Sequence, residues 1–592
     1  MRTALVVVAL WGAHAFGDQK VTFALHDRVP LVANKVGPYT NPSETYSYYS
    51  LPFCAPDEVA HQGHNLGEYL SGDRKVLTPY DLRFRTNVDW AALCDAELDQ
   101  AQVQQLANAI EEDYFFEFFL DGLPLWGFVG DSDETDPILA DVSGEARHTY
   151  LYKHLHFSIA HNNGNIVGVN LTTDASSREL LKTDDPSGMS ITFSYSSEWH
   201  AVDTPWEDRM TTFDERHQLP TPLEVHWLSI INSLVLVVLL TACLAIILLR
   251  IVNHDFAIAG EMESGEAIED EISWKLLHAD VFRLPSGLNL LTAFVGAGSH
   301  LFATTLIIIV AAVTGIIHVS RRGAVISSLV VVYTLTTAIG GFVSARLYRK
   351  LRGDAGHSWA WNILLSILVF PAVIGTAFVA ANSTAFAHGS SQAVPFGTIL
   401  LVLGGFVVIG VPLGVVGGAV GRRTLPYKPP ARPSARARAI PSPPIWHSFP
   451  VQLFLAGFLP FSAISIELHF LFAAVWGHKV YTLFGILLIV FTLLTVVCAS
   501  IVVGLVYFQL ASEDYRWWWR SFLCGGMVGV FIFAYAVFFY HGHTDMTGLL
   551  QASFFFGYMA SVAAAFFLMF GAVGFTAAFA FVHTIYGLSK SE

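Results

Sequence analysis

Charged residues are scarce in this sequence. Only 14% of its 592 residues are Asp, Glu, Lys or Arg, 53% are hydrophobic, and the mean hydropathy is +0.50. An ordinary soluble domain carries about 25% charged residues, so this composition indicates a membrane protein. The net charge of −15 is concentrated before residue 225 and in one later loop. The chain shows no basic patch of the kind that binds nucleic acid, and we expect no nucleic-acid partner.

Motifs for enzymatic chemistry are also missing. The sequence has no GxSxG elbow, no phosphate-binding loop, no HExxH motif and no paired intramembrane aspartates. We therefore expect no catalytic residue, no cofactor and no enzyme activity. The segment YRWWWR at Tyr515–Arg520 lies between two apolar runs, which favours an interfacial aromatic belt with arginine anchors over a site for lipid chemistry.

Cysteine is rare as well, with five residues in the chain. Cys243, Cys498 and Cys524 fall in apolar runs, which leaves Cys54 and Cys94 as the only pair in the polar part. An oxidising compartment would permit a disulfide between these two, and two cysteines allow a single connectivity.

The N-terminus has the pattern of a secretory signal. It reads MRTALVVVALWGAHAFG, in which one Arg precedes an apolar run and small residues follow. This predicts a signal peptide over residues 1–17 and a mature chain that begins near Asp18. An uncleaved anchor is the alternative, although the run is too short to cross a hydrocarbon core of about 30 Å. The polar part that follows is therefore expected in the secretory lumen.

Residues 18–226 are polar and mixed in character. Alternating runs at Thr149–Asn162 and Ser190–Trp199 predict strands, whereas Asp95–Ile110 has a helical pattern. This length suffices for one independently folded domain, and we expect a β-rich, sandwich-like lumenal domain. The sequon at Asn170 would be glycosylated in the lumen.

After Trp227 the sequence consists largely of apolar runs long enough to span a bilayer. Nine are predicted, at residues 228–251, 301–319, 324–345, 360–381, 397–420, 452–475, 482–510, 522–540 and 553–582. The predicted fold is a polytopic α-helical membrane protein, with nine transmembrane helices over residues 227–588 after the β-rich domain.

Nine spans and a lumenal domain place the tail, residues 589–592, in the cytosol. Most Lys and Arg residues between the runs then lie in cytosolic loops, as the positive-inside rule requires, with Arg321 and Arg322 as the evident exception.

Two long cytosolic loops are predicted, at residues 252–300 and 422–450. In the first, an acidic run precedes the amphipathic segment Trp274–Pro285, which we expect to pack at the membrane face of the bundle. In the second, the basic and Pro-rich segment Leu425–Pro444 is expected to form a semi-extended connector near anionic membrane lipid, with an SH3-type ligand as the alternative.

Two features inside the predicted spans are candidate sites. Gly410, Gly414 and Gly418 recur at a four-residue spacing that lets helix backbones approach closely, either in the protein's own bundle or against a cargo helix. Glu467 lies in the sixth apolar run with His469 nearby. An intramembrane carboxyl group serves either as a proton or cation relay or as a hydrogen-bonded structural group.

Several histidines occur in groups that suit metal binding: His61 with His64, His154 with His156 and His161, and His541 with His543 and Asp545. The sequence brings no convergent third ligand to any group, so we predict no metal site. Ordinary polar lumenal histidines, which titrate in mildly acidic compartments, are the favoured interpretation.

Longer motifs carry a family resemblance. They include NKVGPYTNPSETYSYYSLPFC (Asn34–Cys54), LGEYLSGDR (Leu66–Arg74), WKLLHADVFRLP (Trp274–Pro285) and EDYRWWWRSFLCGG (Glu513–Gly526). In this order, over nearly the whole mature chain, they closely resemble the nonaspanins, the transmembrane 9 superfamily. The resemblance implies a Golgi and endosomal membrane protein that sorts or escorts other membrane proteins, among them cargo with glycine-rich transmembrane segments.

The resemblance also covers the C-terminus, where Lys590-Ser591-Glu592 is similar to the family's terminal retrieval signal and implies coatomer as a cytosolic partner. Proton- or cation-coupled transport through Glu467 is the alternative function. The stretch Asn34–Cys54 would be an extended lumenal segment pinned at Cys54, in a structural or a recognition role, of which the structural one is favoured.

Overall fold

The computed structural model describes residues 20–132, 148–173, 177–183, 185–209, separate positions within 231–253, and residues 277, 280–317, 323–352, 359–423, 437–441, 445, 448–476, 484–544 and 546–588. The predicted signal peptide, most of the Pro-rich loop and the tail residues Lys590 and Glu592 lie outside the described part.

The part before residue 210 is built mainly from strands. They are β1 Arg28–Val29, β2 Leu31–Pro38, β3 Tyr46–Ser47, β4 Val76–Leu77, β5 Leu82–Arg83, β6 Val88–Leu98, β7 Tyr114–Leu120, β8 Leu123–Phe128, β9 Gly130–Ser132, β10 Thr149–Tyr152, β11 His154–Asn162, β12 Asn165–Thr173, β13 Arg178–Leu180 and β14 Met189–Ala201. The helices are α1 Leu66–Leu70 and α2 Gln100–Glu111. The strands predicted at 149–162 and 190–199 are confirmed.

Two larger sheets share one apolar core. One has the order β3-β2-β7-β8, with β4 also paired to β2, and the other has the order β12-β11-β14-β6, in which β11 and β14 run parallel. Phe118 from the first sheet and Phe157 and Ile159 from the second are fully buried in the same cluster. The predicted β-rich domain is confirmed, with smaller sheets β1-β5 and β13-β10-β9 beside it.

The helix predicted for residues 95–110 is wrong at its start. Residues up to Leu98 belong to β6, which pairs antiparallel with β14, and α2 begins only at Gln100. Asp99 and Gln102 form a capping box, since each side chain accepts a hydrogen bond from the other's backbone N–H, at 2.8 and 3.0 Å. Sheet pairing overrides the helical propensity of ALCDAEL, and the cap sets where the helix starts.

Eight helices within the described residues are long and apolar enough to cross a membrane. They are α3 Leu288–Val313, α4 Ala324–Arg352, α5 Trp359–Ala387, α6 Phe396–Gly421, α7 Phe449–Val475, α8 Phe484–Ala511, α9 Trp517–His543 and α10 Leu549–Leu588. Of the first predicted span only separate positions between Ile231 and Asn253 are described, and these are helical. The protein is a multi-pass membrane protein.

The second span begins well before the predicted residue 301. Helix α3 starts at Leu288, directly after Gly287, whose φ of 71° lies in the left-handed region. The first turns of α3 contain small residues that lower local hydropathy but permit close packing. Gly296, for example, lies against Ser344 and the backbone of Gly340. A boundary drawn from hydropathy therefore comes too late, and residues 288–300 belong to the helix rather than to the loop.

The helix bundle has two distinct ends. At the domain end, the start of α4, the α5–α6 loop (residues 388–395) and the start of α10 contact the β-rich domain. At the far end, Asp280–Phe282 packs beneath α9, with Leu277, Val281 and Phe282 buried. The described residues of the segment predicted to pack on the bundle therefore do so.

Two of the three tryptophans of YRWWWR are buried rather than placed in an interfacial belt. Trp517 and Trp518 are 0% and 3% exposed, their rings stack at 4.2 Å, and they pack in the bundle core. Trp517 Nε1 donates to the backbone oxygen of Val281 at 3.0 Å, and Trp519 Nε1 donates to that of Ser286 at 2.9 Å. The belt interpretation is wrong for Trp517 and Trp518, because the bundle core and the segment before α3 bury them.

Candidate functional site

A buried polar network lies in the β-rich domain next to the bundle. Asn34 on β2 is fully buried, and its Nδ2 donates to Asp73 Oδ1 at 2.9 Å and to Glu117 Oε2 at 2.7 Å. Asn34 Oδ1 accepts from the backbone N–H of Arg74 at 2.8 Å, and Lys35 Nζ lies 3.7 Å from Asp73. Buried carboxylates are costly unless bonded or paired, so this network fixes the loop around Asp73 to the sheet.

The first contact between domain and bundle is made by α1. Its N–H of Gly67 donates to Ser327 Oγ in the first turn of α4, at 2.9 Å. Gly67 and Gly323 touch backbone to backbone, because a Cβ on Gly67 would clash with the Gly323 carbonyl. Asn65 and Glu68 close a capping box on α1 at 2.8 and 2.9 Å. Only glycine fits at this point of closest approach.

The second contact holds the α5–α6 loop. The carbonyl of Thr45 accepts from the N–H of Ser391 and from Ser390 Oγ, both at 2.8 Å. The hydroxyls of Thr45 and Ser391 are hydrogen-bonded at 2.7 Å. Arg74 Nη2 donates to the Ala393 carbonyl at 2.6 Å. The buried network of the domain is thus continued directly into the loop.

The third contact reaches the start of α10. Gln551 Nε2 donates to Glu44 Oε2, while Gln551 Oε1 accepts from the N–H of Thr547 at 2.8 Å. Glu44 also accepts from the Tyr46 hydroxyl at 2.6 Å. We call these three contacts together the junction. They join the domain to three helix ends that are far apart in the sequence.

A histidine supports the first contact. His64 Nε2 accepts from the N–H of Lys75 at 2.7 Å, which requires a neutral ring with its hydrogen on Nδ1. Burial lowers the pKa of His64, and the charges that face it are those of Glu68, Lys75, Asp73 and Arg74. Lys75 Nζ donates to Oε1 of Glu68 at 2.6 Å, and Glu68 belongs to α1, the helix that touches α4. Protonation of His64 would remove the acceptor for Lys75.

The stretch Asn34–Cys54 is accordingly a structural element of the domain. Its first residues, up to Pro38, belong to the extended strand β2 and are paired within the sheet. Cys54 is joined to Cys94 of β6 in a disulfide with a Cα–Cα distance of 6.1 Å. Tyr48 is buried against Phe53 and Phe118. Tyr46, Tyr48 and Tyr49 thus contribute to the core, while Thr45 and Glu44 make two of the three junction contacts.

The glycines proposed for close helix packing face helices of the same chain. Gly414 and Gly418 are buried against Ile367 and Ile363 of α5, at distances where a Cβ would clash. Gly410 is buried beside a side chain of its own helix and Thr334 of α4. This face of α6 is therefore filled by the bundle, as in the packing alternative, and a cargo helix would have to bind elsewhere.

Glu467 and His469 lie on α7 and turn toward different surroundings. Glu467 is half-buried, and its Oε1 is buried without a hydrogen-bond partner within the described residues. His469 Nδ1 is hydrogen-bonded to the Tyr535 hydroxyl of α9 at 2.9 Å, and its ring lies 5.2 Å from that of His543. His469 therefore has a packing role between two helices, whereas Glu467 keeps the features of a relay candidate.

A buried polar cluster inside the bundle was missed by the sequence reasoning. Asn362 Nδ2 donates to the Asn289 carbonyl and to Thr292 Oγ1, both at 2.8 Å, and Ser344 Oγ donates to Asn362 Oδ1. His300 is 2% exposed and bonded to the Tyr333 carbonyl at 2.9 Å. The cluster joins α3, α4 and α5. The sequence feature that could have predicted it is the presence of Asn, Ser and Thr within apolar runs.

The remaining predicted residues lie on the domain. Asn170 is exposed on the edge strand β12, where a glycan would have room. The rings of His154 and His156 both bond to Ser196 of β14, at 2.9 and 2.8 Å. His161 is buried, which lowers its pKa. Within the described residues no three His, Cys, Asp or Glu side chains come together as a metal site.

Comparison with known proteins identifies the family. The family model described as Endomembrane protein 70 matches residues 45–549. Transmembrane 9 superfamily member 2 of Arabidopsis thaliana is 42% identical over 601 aligned positions, covering 100% of both chains. Transmembrane 9 superfamily member 1 of Mus musculus is 42% identical, covering 95% of this chain and 93% of its own. No solved structure matches significantly. The chain belongs to the Endomembrane protein 70 family, that of the transmembrane 9 superfamily proteins.

Proposed function

We propose that this protein is a non-enzymatic membrane protein of the Golgi and endosomes that sorts or escorts other membrane proteins through the secretory pathway. The observation that carries the proposal is the junction, in which Glu44, Thr45 and Gly67 fasten the domain to three helix ends. A partner whose soluble part binds the domain and whose span binds the bundle would be held in one fixed arrangement. The family description, an endomembrane protein, supports an internal membrane as its location.

Cargo with glycine-rich transmembrane segments is the proposed partner, and its contact surface is the lipid-facing side of α6. Phe396, Leu400 and Val408 on this side are 77%, 61% and 72% exposed. Their side chains form a ridge, and a helix rich in glycine lacks the side chains that would keep it away from such a ridge. Gly414 and Gly418, in the second half of α6, remain engaged with α5.

A site-specific crosslinking experiment tests this assignment. A photoreactive phenylalanine at position 408 should capture a glycine-rich single-span cargo in membranes. The same residue at Phe538, 61% exposed on α9, is the matched control. Capture from 408 and not from 538 supports the α6 surface. Equal capture from both positions, or capture from neither, would remove it as the cargo site.

Transport remains a second candidate function because Glu467 Oε1 is buried without a partner within the described residues. Intramembrane carboxyl groups mark proton relays and cation pathways in transporters, because such a group takes up and releases a proton or binds a cation. Purified protein in sealed proteoliposomes should then show a proton or cation flux that Glu467→Gln abolishes. Under the sorting proposal there is no flux, and Glu467→Gln leaves cargo capture at position 408 unchanged.

A further inference from the structure

An apolar groove lies between α7 and α9 in the half of the bundle next to the far end. It has a volume of about 370 Å³ and is lined only by apolar side chains, among them Pro450, Leu453, Phe454, Val530 and Phe531. Phe454 and Val530 are 54% and 46% exposed, so the groove opens sideways toward the bilayer.

The groove has a defined inner limit. Beside it, α7 and α9 touch at Gly457, where Phe531 and Met527 occupy the space that a side chain would need. Phe531 also contacts the ring of Phe454, with centroids 5.6 Å apart. The walls are therefore held by contacts between the two helices.

Basic residues stand at the far-end mouth of the groove. The Arg520 guanidinium lies over the ring of Phe449, 5.1 Å from its centroid, and Phe449 directly precedes the groove-lining Pro450 in the chain. Arg516 and Arg520 both pair with Asp514, at 3.1 and 3.3 Å. Two arginines share one carboxylate, which leaves an excess positive charge, and the Arg516 side chain is 63% exposed.

We propose that the groove binds one acyl chain of an anionic phospholipid, whose phosphate is held at Arg516 and Arg520. Apolar walls suit the chain, and the unneutralised guanidinium charge at the membrane boundary suits the headgroup. The far end is also the end that the basic residues predict to be cytosolic, where anionic lipids are concentrated.

The dimensions favour a lipid chain over a helix from a partner protein. A helix with its side chains is about 10–12 Å across. A groove of about 370 Å³ is too small to enclose even two turns of such a helix. An acyl chain is narrow enough to lie along Leu453 and Val530 with its end toward Gly457. The occupant is therefore a lipid of the surrounding leaflet.

Photolabelling of the full-length protein tests the proposal. The protein is placed in phosphatidylcholine nanodiscs that contain a small fraction of phosphatidylserine with a diazirine on its acyl chain. We expect label on the peptides that carry Leu453 and Met527. Val530→Trp and Ala534→Trp, which fill the groove from its open side, should each remove this label. Val379→Trp on α5, at a position that is 62% exposed, is the control and should keep it.

The headgroup is tested by a second comparison. Arg516→Ala should lower the preference for the phosphatidylserine probe over a matching phosphatidylcholine probe by about fivefold, the effect of one basic residue near an anionic surface, and Arg516→Lys should retain it. Equal labelling in the groove-filled and control variants would show ordinary annular lipid only. Equal labelling by both probes in the unmodified protein would show an acyl chain without headgroup recognition. Either result overturns the proposal.

Discussion

Replacing Gly67 by Ala should loosen the β-rich domain from the bundle. The added Cβ would meet the carbonyl and Cα of Gly323, and backbone on both sides cannot move aside as a flexible side chain would. Overpacking of this kind costs about 1–3 kcal/mol. If the contact opens instead, the hydrogen bond from Gly67 N–H to Ser327 is lost, at about 0.5–1.5 kcal/mol.

A second effect cancels from the ratio of open to closed forms. Alanine is a better helix former than glycine by about 1 kcal/mol, but Gly67 lies within α1, and we expect α1 to stay helical in both forms, so both gain equally. The net change therefore stays at about 1–3 kcal/mol in favour of the open junction, which corresponds to a shift of about 5- to 150-fold in the ratio of open to closed forms. The domain core is remote from this contact, so the domain itself should stay folded.

Hydrogen exchange on the full-length protein in nanodiscs measures this ratio. Amides of α1 and of the first turn of α4 should exchange faster in Gly67→Ala, by the factor given above, while those of β7 and β11 keep their rates. Gly63→Ala is the matched control, since a Cβ there meets no atom within 4 Å. Ser327→Ala removes only the acceptor and should give a smaller effect. If Gly67→Ala exchanges like Gly63→Ala, the backbone contact is not what holds the domain.

Three further outcomes are expected. Cys94→Ser removes the Cys54–Cys94 disulfide, whose cysteines are 40 residues apart in the sequence. This should lower the free energy of unfolding of the domain by about 3–4 kcal/mol, measured by urea unfolding. An unchanged unfolding midpoint would contradict this. Because burial lowers the pKa of His64 below its unfolded value of 6.5, the junction should have full strength above that pH and weaken as pH falls below it. Proteolytic release of the domain should follow this curve, and His64→Gln should flatten it. Lys590→Ala combined with Glu592→Ala should leave folding intact. The double variant should lose coatomer binding and move from the Golgi to later compartments. If binding and location are unchanged, the retention signal lies in the spans.

The parts of the fold that were predicted correctly depend on local pattern. Apolar runs of sufficient length mark each of the eight described spans, and alternation marks the strands at 149–162 and 190–199. The pair Cys54 and Cys94 followed from elimination, because no other cysteine lies in the polar part. Such features need no knowledge of distant residues.

The junction could not be predicted because it depends on residues far apart in the chain. Gly67 and Ser327 are separated by 260 positions, and Glu44 and Gln551 by 507. Nothing in the local sequence of Gly67 distinguishes it from an ordinary loop glycine. The burial of Trp517 was missed for the same reason, since its partner Val281 comes 236 residues earlier and converts an apparent membrane belt into core.

The α5–α6 loop connects the junction to the proposed cargo surface. Its residues Ser390 and Ser391 are held by Thr45 of the domain, and the N–H of Val394 is held by Asn382 of α5 at 2.7 Å. Helix α6 begins directly after this loop, and its outer side is the ridge assigned to cargo. A partner helix that displaces the start of α6 therefore acts on the same short loop that the domain grips. The two sites are coupled if the partner helix binds α6 with different affinity when the junction is open and when it is closed. Opening the junction should then change the affinity of α6 for that helix, and binding of the helix should change the ratio of open to closed junction by the same factor.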